Sequence, residues 1–496
     1  MYIVSEKPLI EILSPEEQHD RFDINYYLPE FIHAERYIEN CDIEFTTLGD
    51  VMTDDASYGV LPPSSSYLEE GGISLVRSSN VSNSGIDYES AVRVPSEWIS
   101  SERARIKSND VLISIKGARA FFDMCVASNN PPDAIVNGSV FRFQCEKAFN
   151  PRFVVFWLLS KHIQSLVFRE RANLGISYIS RDSLNAIPIP KIGLERQNNI
   201  LAAINDSEMV LAPFDRRITD TESQIASYKK QISDVFKNEF SLPNIIEPIE
   251  DKVFLLPTSR QVDRLDVRGN QKTYFTLLSG LEENKSFMAF EDVAKDITNG
   301  LPARNYCDSD SENARRYLLV ADIKNGKIVD DSPSYIDNTE EKVKLTEKTL
   351  LFTRKGTVGE VAVPSNNEIE YVPCYELICI DLFNLDDSQI DLIKYFYLSD
   401  YGRLLVYFSC SGGQMPSISQ ERFKQLKVPL VQAEECNRIN RILFEIGAEI
   451  LNREELIKLL KTSRNSMFSD FLAIIFDKEP KQALKDLEGT VSEALQ

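Results

Sequence analysis

The 496-residue chain has no apolar run of the roughly 18–20 residues that a membrane-spanning helix needs, so no span is expected. Its first fourteen residues carry Glu6 and Glu11 and lack the basic start and small-residue cleavage site of a secretory leader. Histidine is scarce: His19, His33 and His162 stand far apart, which argues against a zinc site. The eight cysteines include no Cys-x-x-Cys pair, and the nearest neighbours are Cys374 and Cys379, so reduced thiols and a cytoplasmic location are expected. There is no Gly-x-x-x-x-Gly-Lys-[Ser/Thr] phosphate loop, which argues against an ATPase. Positive charge is also short: 55 Lys and Arg stand against 76 Asp and Glu, for a net charge of −21. Taken alone that disfavours nucleic-acid binding, since phosphates attract Lys and Arg. It leaves room for a protein that reads bases with a few side chains while partners supply the phosphate contacts.

What is present is a repeat. The length calls for at least two domains, and the two halves echo each other at an offset of about 240 residues. Asp20-Arg21-Phe22-Asp23 returns as Asp263-Arg264-Leu265-Asp266, and Leu48-Gly49-Asp50-Val51 as Phe290-Glu291-Asp292-Val293. The stretch 74–81 parallels 317–323, and 110–117, ending Ile115-Lys116-Gly117, parallels 348–356, ending Arg354-Lys355-Gly356. Tyr178-Ile179-Ser180 and Ile187-Pro188-Ile189-Pro190 match Ser417-Ile418-Ser419 and Leu426-Lys427-Val428-Pro429. These pairs, recurring in one order, indicate a duplicated domain. Within each copy, 111–115 and 350–353 read as short strands ending in a Lys-Gly turn, and 136–143 and 371–380 as further strands. Residues 153–171 and 392–408 have helical spacing. The expected class is α+β.

Each copy runs into a long helical segment. Ile204, Leu211, Ile218, Ile225 and Ile232 recur every seven residues in the first. Leu443, Ile450 and Ile457 do so in the second, with Ile439, Ile446, Leu460 and Met467 on the adjoining stripe. A seven-residue apolar repeat marks a seam that packs on another helix. Residues 195–240 would span about 65 Å if wholly helical, and Pro213 is expected to kink or interrupt them. The expected domains are a first globule over 1–193, a helix over 194–240, a second globule over 241–430, a helix over 431–475 and a tail over 476–496. The two helices are expected to pack as an antiparallel coiled coil that holds two similar binding surfaces apart.

These residues together resemble the specificity subunit of type I restriction–modification systems. The resemblance rests on 110–117, on Gly175-Ile176-Ser177-Tyr178-Ile179-Ser180, on Ile187-Pro188-Ile189-Pro190 and on Glu195-Arg196-Gln197 leading into the helix. Arg21-Phe22-Asp23-Ile24-Asn25-Tyr26-Tyr27 and the second-half run 411–419 add to it, and it covers roughly residues 15–475. The chain departs from the family's pattern at Lys191-Ile192-Gly193-Leu194 and Leu430-Val431-Gln432, and at Glu434-Glu435-Cys436. The resemblance implies two target-recognition domains, each reading one half of a bipartite site in double-stranded DNA. It implies that the helices set the spacer and dock two methyltransferase subunits, and that a separate restriction/translocase subunit cuts. No catalytic, cofactor or metal residue is then expected on this chain. Base readout draws on Arg, Lys, Asn, Gln, Ser and Thr in exposed loops. The candidates are Arg77, Ser78, Asn80, Lys116, Arg119, Ser177 and Tyr178 in the first copy. In the second they are Arg354, Lys355, Thr357, Gln414 and Ser417.

Two motifs imitate enzymes. Asn130-Pro131-Pro132-Asp133 resembles the Asn-Pro-Pro-aromatic motif of adenine methyltransferases, but Asp133 stands where a ring should stack on the flipped base. Asp330 with Glu340 and Lys342 could imitate a nuclease metal cluster, within a highly charged stretch that reads as a solvated loop. The competing readings are a self-contained modification enzyme, which needs cofactor motifs the sequence lacks, and a non-enzymatic interaction scaffold of another phage-defence complex, which the acidity suits.

Overall fold

The computed structural model describes residues 27–116, 121–170, 178–245, 271–302, 305–307, 309–331, 333–337, 345–412 and 416–495. The repeat partners 20–23 and 263–266, and Glu340 and Lys342, lie outside the described residues. The chain mixes helices and sheets and divides into two compact units: Met1–Arg216 with Leu460–Gln496, and Arg217–Leu459.

In the first unit, Phe45–Thr47 pairs antiparallel with Pro188–Pro190, tying the start of the globule to its end. A four-stranded antiparallel sheet runs in the order Ser57–Tyr58, Val140–Phe143, Val111–Ser114, Met124–Val126. Val111–Ser114 is buried along its whole length. Such a strand reads as a continuous apolar run because neither face meets water. A smaller sheet pairs Ile73–Val76 antiparallel with Val92–Val94 and parallel with Ala134–Val136. The apolar run 136–143 is thus two strands in two sheets, parted by a turn at Asn137-Gly138-Ser139. The segment 153–171 is likewise two helices, Pro151–Leu158 and Lys161–Glu170. Asn150 caps the first by accepting from the Arg152 amide, and Pro151 at the first helical position gives up no needed donor.

The second unit is built on the same pairing scheme. Phe287–Ala289 pairs with Lys427–Pro429, and Asp296–Asn299, Leu377–Asp381, Thr349–Thr353 and Val361–Ala362 form the four-stranded sheet in the corresponding order. Ala314–Leu318 pairs antiparallel with Ser334–Asp337 and parallel with Val372–Pro373. Residues 392–408 divide at Ser399 into Asp387–Leu398 and Asp400–Ser409; the Ser399 side chain caps the second by accepting from the Gly402 amide.

Two long helices, Leu194–Glu239 and Ala433–Ile474, each give part of their length to both units. The first continues through Pro213, contrary to an interruption there. Proline denies Met209 its helical donor, and Met209 lies on the exposed face, where water can serve the carbonyl. Ile204, Leu211, Ile218, Ile225 and Ile232 are all buried, as are Leu443 and Ile450. In the second unit Arg438 pairs with Glu239 and Arg453 donates to Gln224 at 2.8 Å, so numbers rise along one helix as they fall along the other. In the first unit Arg464 bridges to Glu208 and Asp215, both at 2.7 Å. There the end of the second helix leads into Phe476, whose ring meets Trp157 edge-on with centroids 4.8 Å apart. Gly447 lets the second helix approach closely, since a Cβ there would stand 2.4 Å from the Tyr395 hydroxyl.

Candidate nucleic-acid interface

The first globule gathers three loops onto one rim. Just past Val111–Ser114, Lys116 stands opposite Tyr178 in an isolated antiparallel bridge, and the Ile179 amide donates to the Ile115 carbonyl at 3.2 Å. The Ile115 amide donates to the Ser139 carbonyl at 3.1 Å. Ser78 ties in the third loop: its hydroxyl donates to the carbonyls of Lys116 at 2.8 Å and Ser139 at 3.2 Å. Lys116 and Tyr178 are exposed, while Arg77 and Ser78 are half-buried. Arg119 and Ser177 lie outside the described residues.

Asn80 does not face outward and leaves the set of candidate readers. It is buried, its amide oxygen accepts from the Arg77 amide at 3.0 Å, and its amide nitrogen donates to Ser90 at 3.1 Å. It closes the turn that presents Arg77 and Ser78. In the second unit the buried Asp322 closes the same turn by accepting from the Leu319 amide at 2.7 Å.

The second globule builds its rim from the same bonds. Lys355 bridges to Ser417, the Ile418 amide donates to the Arg354 carbonyl at 3.0 Å, and the Arg354 amide donates to the Glu376 carbonyl at 3.0 Å. The turn closes at Gly356 and Gly359, whose φ values of +79° and +101° suit glycine. Ser417 also exchanges two backbone hydrogen bonds with Ser411, at 2.8 and 2.9 Å. The Arg354 guanidinium lies over the Tyr375 ring, 5.0 Å from its centroid, which holds the cation at the rim. Lys355 and Thr357 are exposed and Ser417 is half-exposed; Gln414 lies outside the described residues. Arg354, Lys355, Thr357 and Ser417 therefore stand together. Sequence reasoning missed Ser139, Tyr375 and Glu376, which occupy corresponding turns ahead of a sheet strand. The available signal was their spacing, since both turns sit about 237 residues apart.

The enzyme-like motifs are otherwise occupied. Asp133 pairs with Arg105 at 3.4 Å on the surface, and Asp330 with Arg316 at 3.0 Å. Among the described residues no group of three or more His, Cys, Asp and Glu could hold a metal ion. Burial pushes the Cys125, Cys145, Cys374 and Cys379 thiols up to about 12, so these are not thiolates at neutral pH. No described helix is long and apolar enough to cross a membrane.

Residues 282–461 match the family model described as the type I restriction modification DNA specificity domain. That stretch is similar to a type I restriction–modification DNA specificity domain. The resemblance read from the sequence is supported over these residues, and the Arg354–Lys355 rim lies inside them. Three solved structures are similar to the chain. One comes from work on complex assembly and conformational transition of the type I R-M system, with 14% identity over 87% of this chain and 97% of that one, at a TM-score of 0.38. The second is the S subunit of a type I restriction–modification system from M. genitalium, with 13% identity over 87% and 96%, at 0.30. The third is the HsdS subunit from Thermoanaerobacter tengcongensis, with 14% identity over 89% and 96%, at 0.30. No curated protein sequence matches the chain.

Proposed function

We propose that this chain is the DNA-recognition subunit of a type I restriction–modification complex, working in the cytoplasm. Each globule is a target-recognition domain that reads one half of a bipartite site in double-stranded DNA. The observation that carries the reading is that one rim is built twice. Lys116 and Lys355 each follow the central sheet strand and each bridge to the segment holding Tyr178 or Ser417. Arg77, Ser78, Lys116 and Tyr178, with Arg119 and Ser177, are the proposed contacts of the first domain. Arg354, Lys355, Thr357 and Ser417, with Gln414, are those of the second. The two long helices act as an antiparallel coiled-coil spacer and dock two methyltransferase subunits. A restriction/translocase subunit joins them, and this chain needs no cofactor of its own.

The test is a module exchange. Replacing residues 15–190 with the equivalent part of a relative, in the complex with its methyltransferase, should change one half of the methylated sequence and preserve the other. Both halves changing together would defeat the two-module reading. The net charge of −21 favours a second reading, a protein-interaction scaffold of another defence complex. Salt-dependent, sequence-specific DNA binding by the assembled complex decides against it.

A further inference from the structure

Each globule carries a small hairpin next to its rim turn, and the two hairpins end differently. In the second, Ile323–Lys324 pairs with Lys327–Ile328 across an Asn325-Gly326 turn. Both turn residues have positive φ, +48° and +83°, the two-residue loop whose twist suits a hairpin. Its tip is half-buried. The Asn325 side chain accepts from Lys229 Nζ of the first long helix at 3.1 Å and donates to Glu454 of the second at 2.6 Å. Its backbone amide donates to Glu360 at 2.9 Å, and Glu360 pairs with Arg403 at 3.6 Å. A Cβ on Gly326 would stand 3.0 Å from Leu398, so the tip rests on the helix Asp387–Leu398 above a cavity of about 100 Å³.

In the first globule the corresponding pair is Val81–Ser82 with Gly85–Ile86. Asn83 turns back on its own sheet and accepts from the Met124 amide at 3.2 Å. A groove of about 860 Å³ has Asn83 and Ser84 on one side and Asn150, Arg152 and Phe156 on the other. The first hairpin therefore stands off its helix, whereas the second is pinned to three helices at once. The amide of one asparagine thus serves both helices.

We infer that Asn325 is a positioning residue for DNA-site selection: it fixes the second globule on both long helices and thereby governs which spacer length is accepted, without touching a base. This rests on the proposed recognition function. Asn325→Gly preserves the positive φ of the turn and removes only the side chain. In the full chain with its methyltransferase, the adenine methylation pattern of a host genome is the readout. Both half-site sequences should persist, while the preference for the native spacer over sites one base pair longer or shorter should fall at least about tenfold. Asn83→Gly in the first hairpin should leave that preference intact, and Glu454→Gln, which keeps the acceptor oxygen, should preserve it. A wild-type complex that directs no bipartite methylation would sink the recognition reading itself. A wild-type complex that does, beside an Asn325→Gly complex with unchanged spacer preference or altered half-sites, overturns this inference alone. Should Asn325→Gly lower the melting temperature enough to unfold the chain, Glu454→Ala, which removes only the helix-side acceptor, decides by the same ratio.

Discussion

Replacing Arg142 should destabilise the first unit selectively. Arg142 is fully buried in the strand Val140–Phe143 and donates to both oxygens of the equally buried Asp110, at 2.8 and 3.0 Å. It also donates to the Asp55 carboxylate at 3.0 Å and the Arg103 carbonyl at 3.2 Å. Arg142→Met fills similar space and leaves the Asp110 carboxylate buried without its cation. Breaking a buried pair in this way costs about 3–5 kcal/mol. For a unit of this size each kcal/mol moves the midpoint by about 2–4 °C, so the first unit's transition should fall by roughly 6–20 °C. Scanning calorimetry on the full chain reads this directly. The transition of Arg217–Leu459 should stay in place, because these bonds end on residues 55–110. The double variant Asp110→Leu with Arg142→Met removes both charges, and such apolar replacements are often neutral or better. It should recover most of the loss. An unshifted transition in the single variant, or a double variant no better than it, would refute the reasoning.

Burial would raise the Asp55 carboxyl, but hydrogen bonds from Thr53, Arg142 and Lys107 outweigh it and hold the group at about 2. A depressed carboxyl stabilises above its unfolded value and loses that contribution as pH falls through the folded one. The first unit should thus lose on the order of 1 kcal/mol between about pH 4 and pH 2, discounted because Asp55 is 37% exposed; Asp55→Asn should flatten that limb of an acid titration followed by circular dichroism. A matched seven-residue helical insertion after Arg216 and after Leu459 keeps the seam in phase and adds about 10 Å, so the preferred DNA spacer should lengthen by about three base pairs at about 3.4 Å each. Inserting in one helix alone at Lys230 should instead draw the buried Ile232 and Phe236 out of the second core and lower its melting temperature. Lys355→Ala should reduce the salt slope of DNA binding by the complex by about 0.9, the share of one phosphate contact; an unchanged slope would remove Lys355 from the interface.

The parts of the fold legible in the sequence are those with strong local chemistry. Lys116 and Lys355 marked both rims because each polar side chain follows a buried apolar strand. The heptad marked the buried stripe from Ile204 to Ile232 because its period differs from that of a strand. What stayed hidden depends on contacts distant in the chain. The runs 136–143 and 371–380 look continuous because both flanking strands are apolar, and only the sheet pairing shows that each run serves two sheets. Ser399 divides a helical stretch by capping, which composition does not announce. Asn80 has the right chemistry for a base reader, and its burial beneath its own turn removes it. The partition into units crosses any linear division, since residues beyond Leu460 cluster with the first 216. The Asn325 node was invisible for the same reason: Lys229, Asn325, Glu360 and Glu454 come from four separate stretches.

On the proposed function, the net charge of −21 sharpens DNA reading rather than opposing it. Three arginines of the second long helix are committed to neighbouring carboxylates: Arg438 to Glu239, Arg453 to Glu449, Arg464 to Glu208 and Asp215. They are poorly placed to collect phosphates, and each phosphate not neutralised lowers sequence-independent affinity. Base readout is affected much less, since one well-formed bidentate contact discriminates by about 1–3 kcal/mol and a few suffice per half-site. The useful quantity for a site reader is the ratio of specific to non-specific binding, because a genome offers about a million or more competing sites. An acidic body with a few exposed cations on its rims, Lys116 and Lys355 among them, suppresses the second term of that ratio more than the first. Such a chain should bind DNA weakly alone and become selective when partner subunits supply the missing phosphate contacts. Direct measurement of the isolated chain and the complex at matched salt tests this: tight non-specific binding by the chain alone would contradict it.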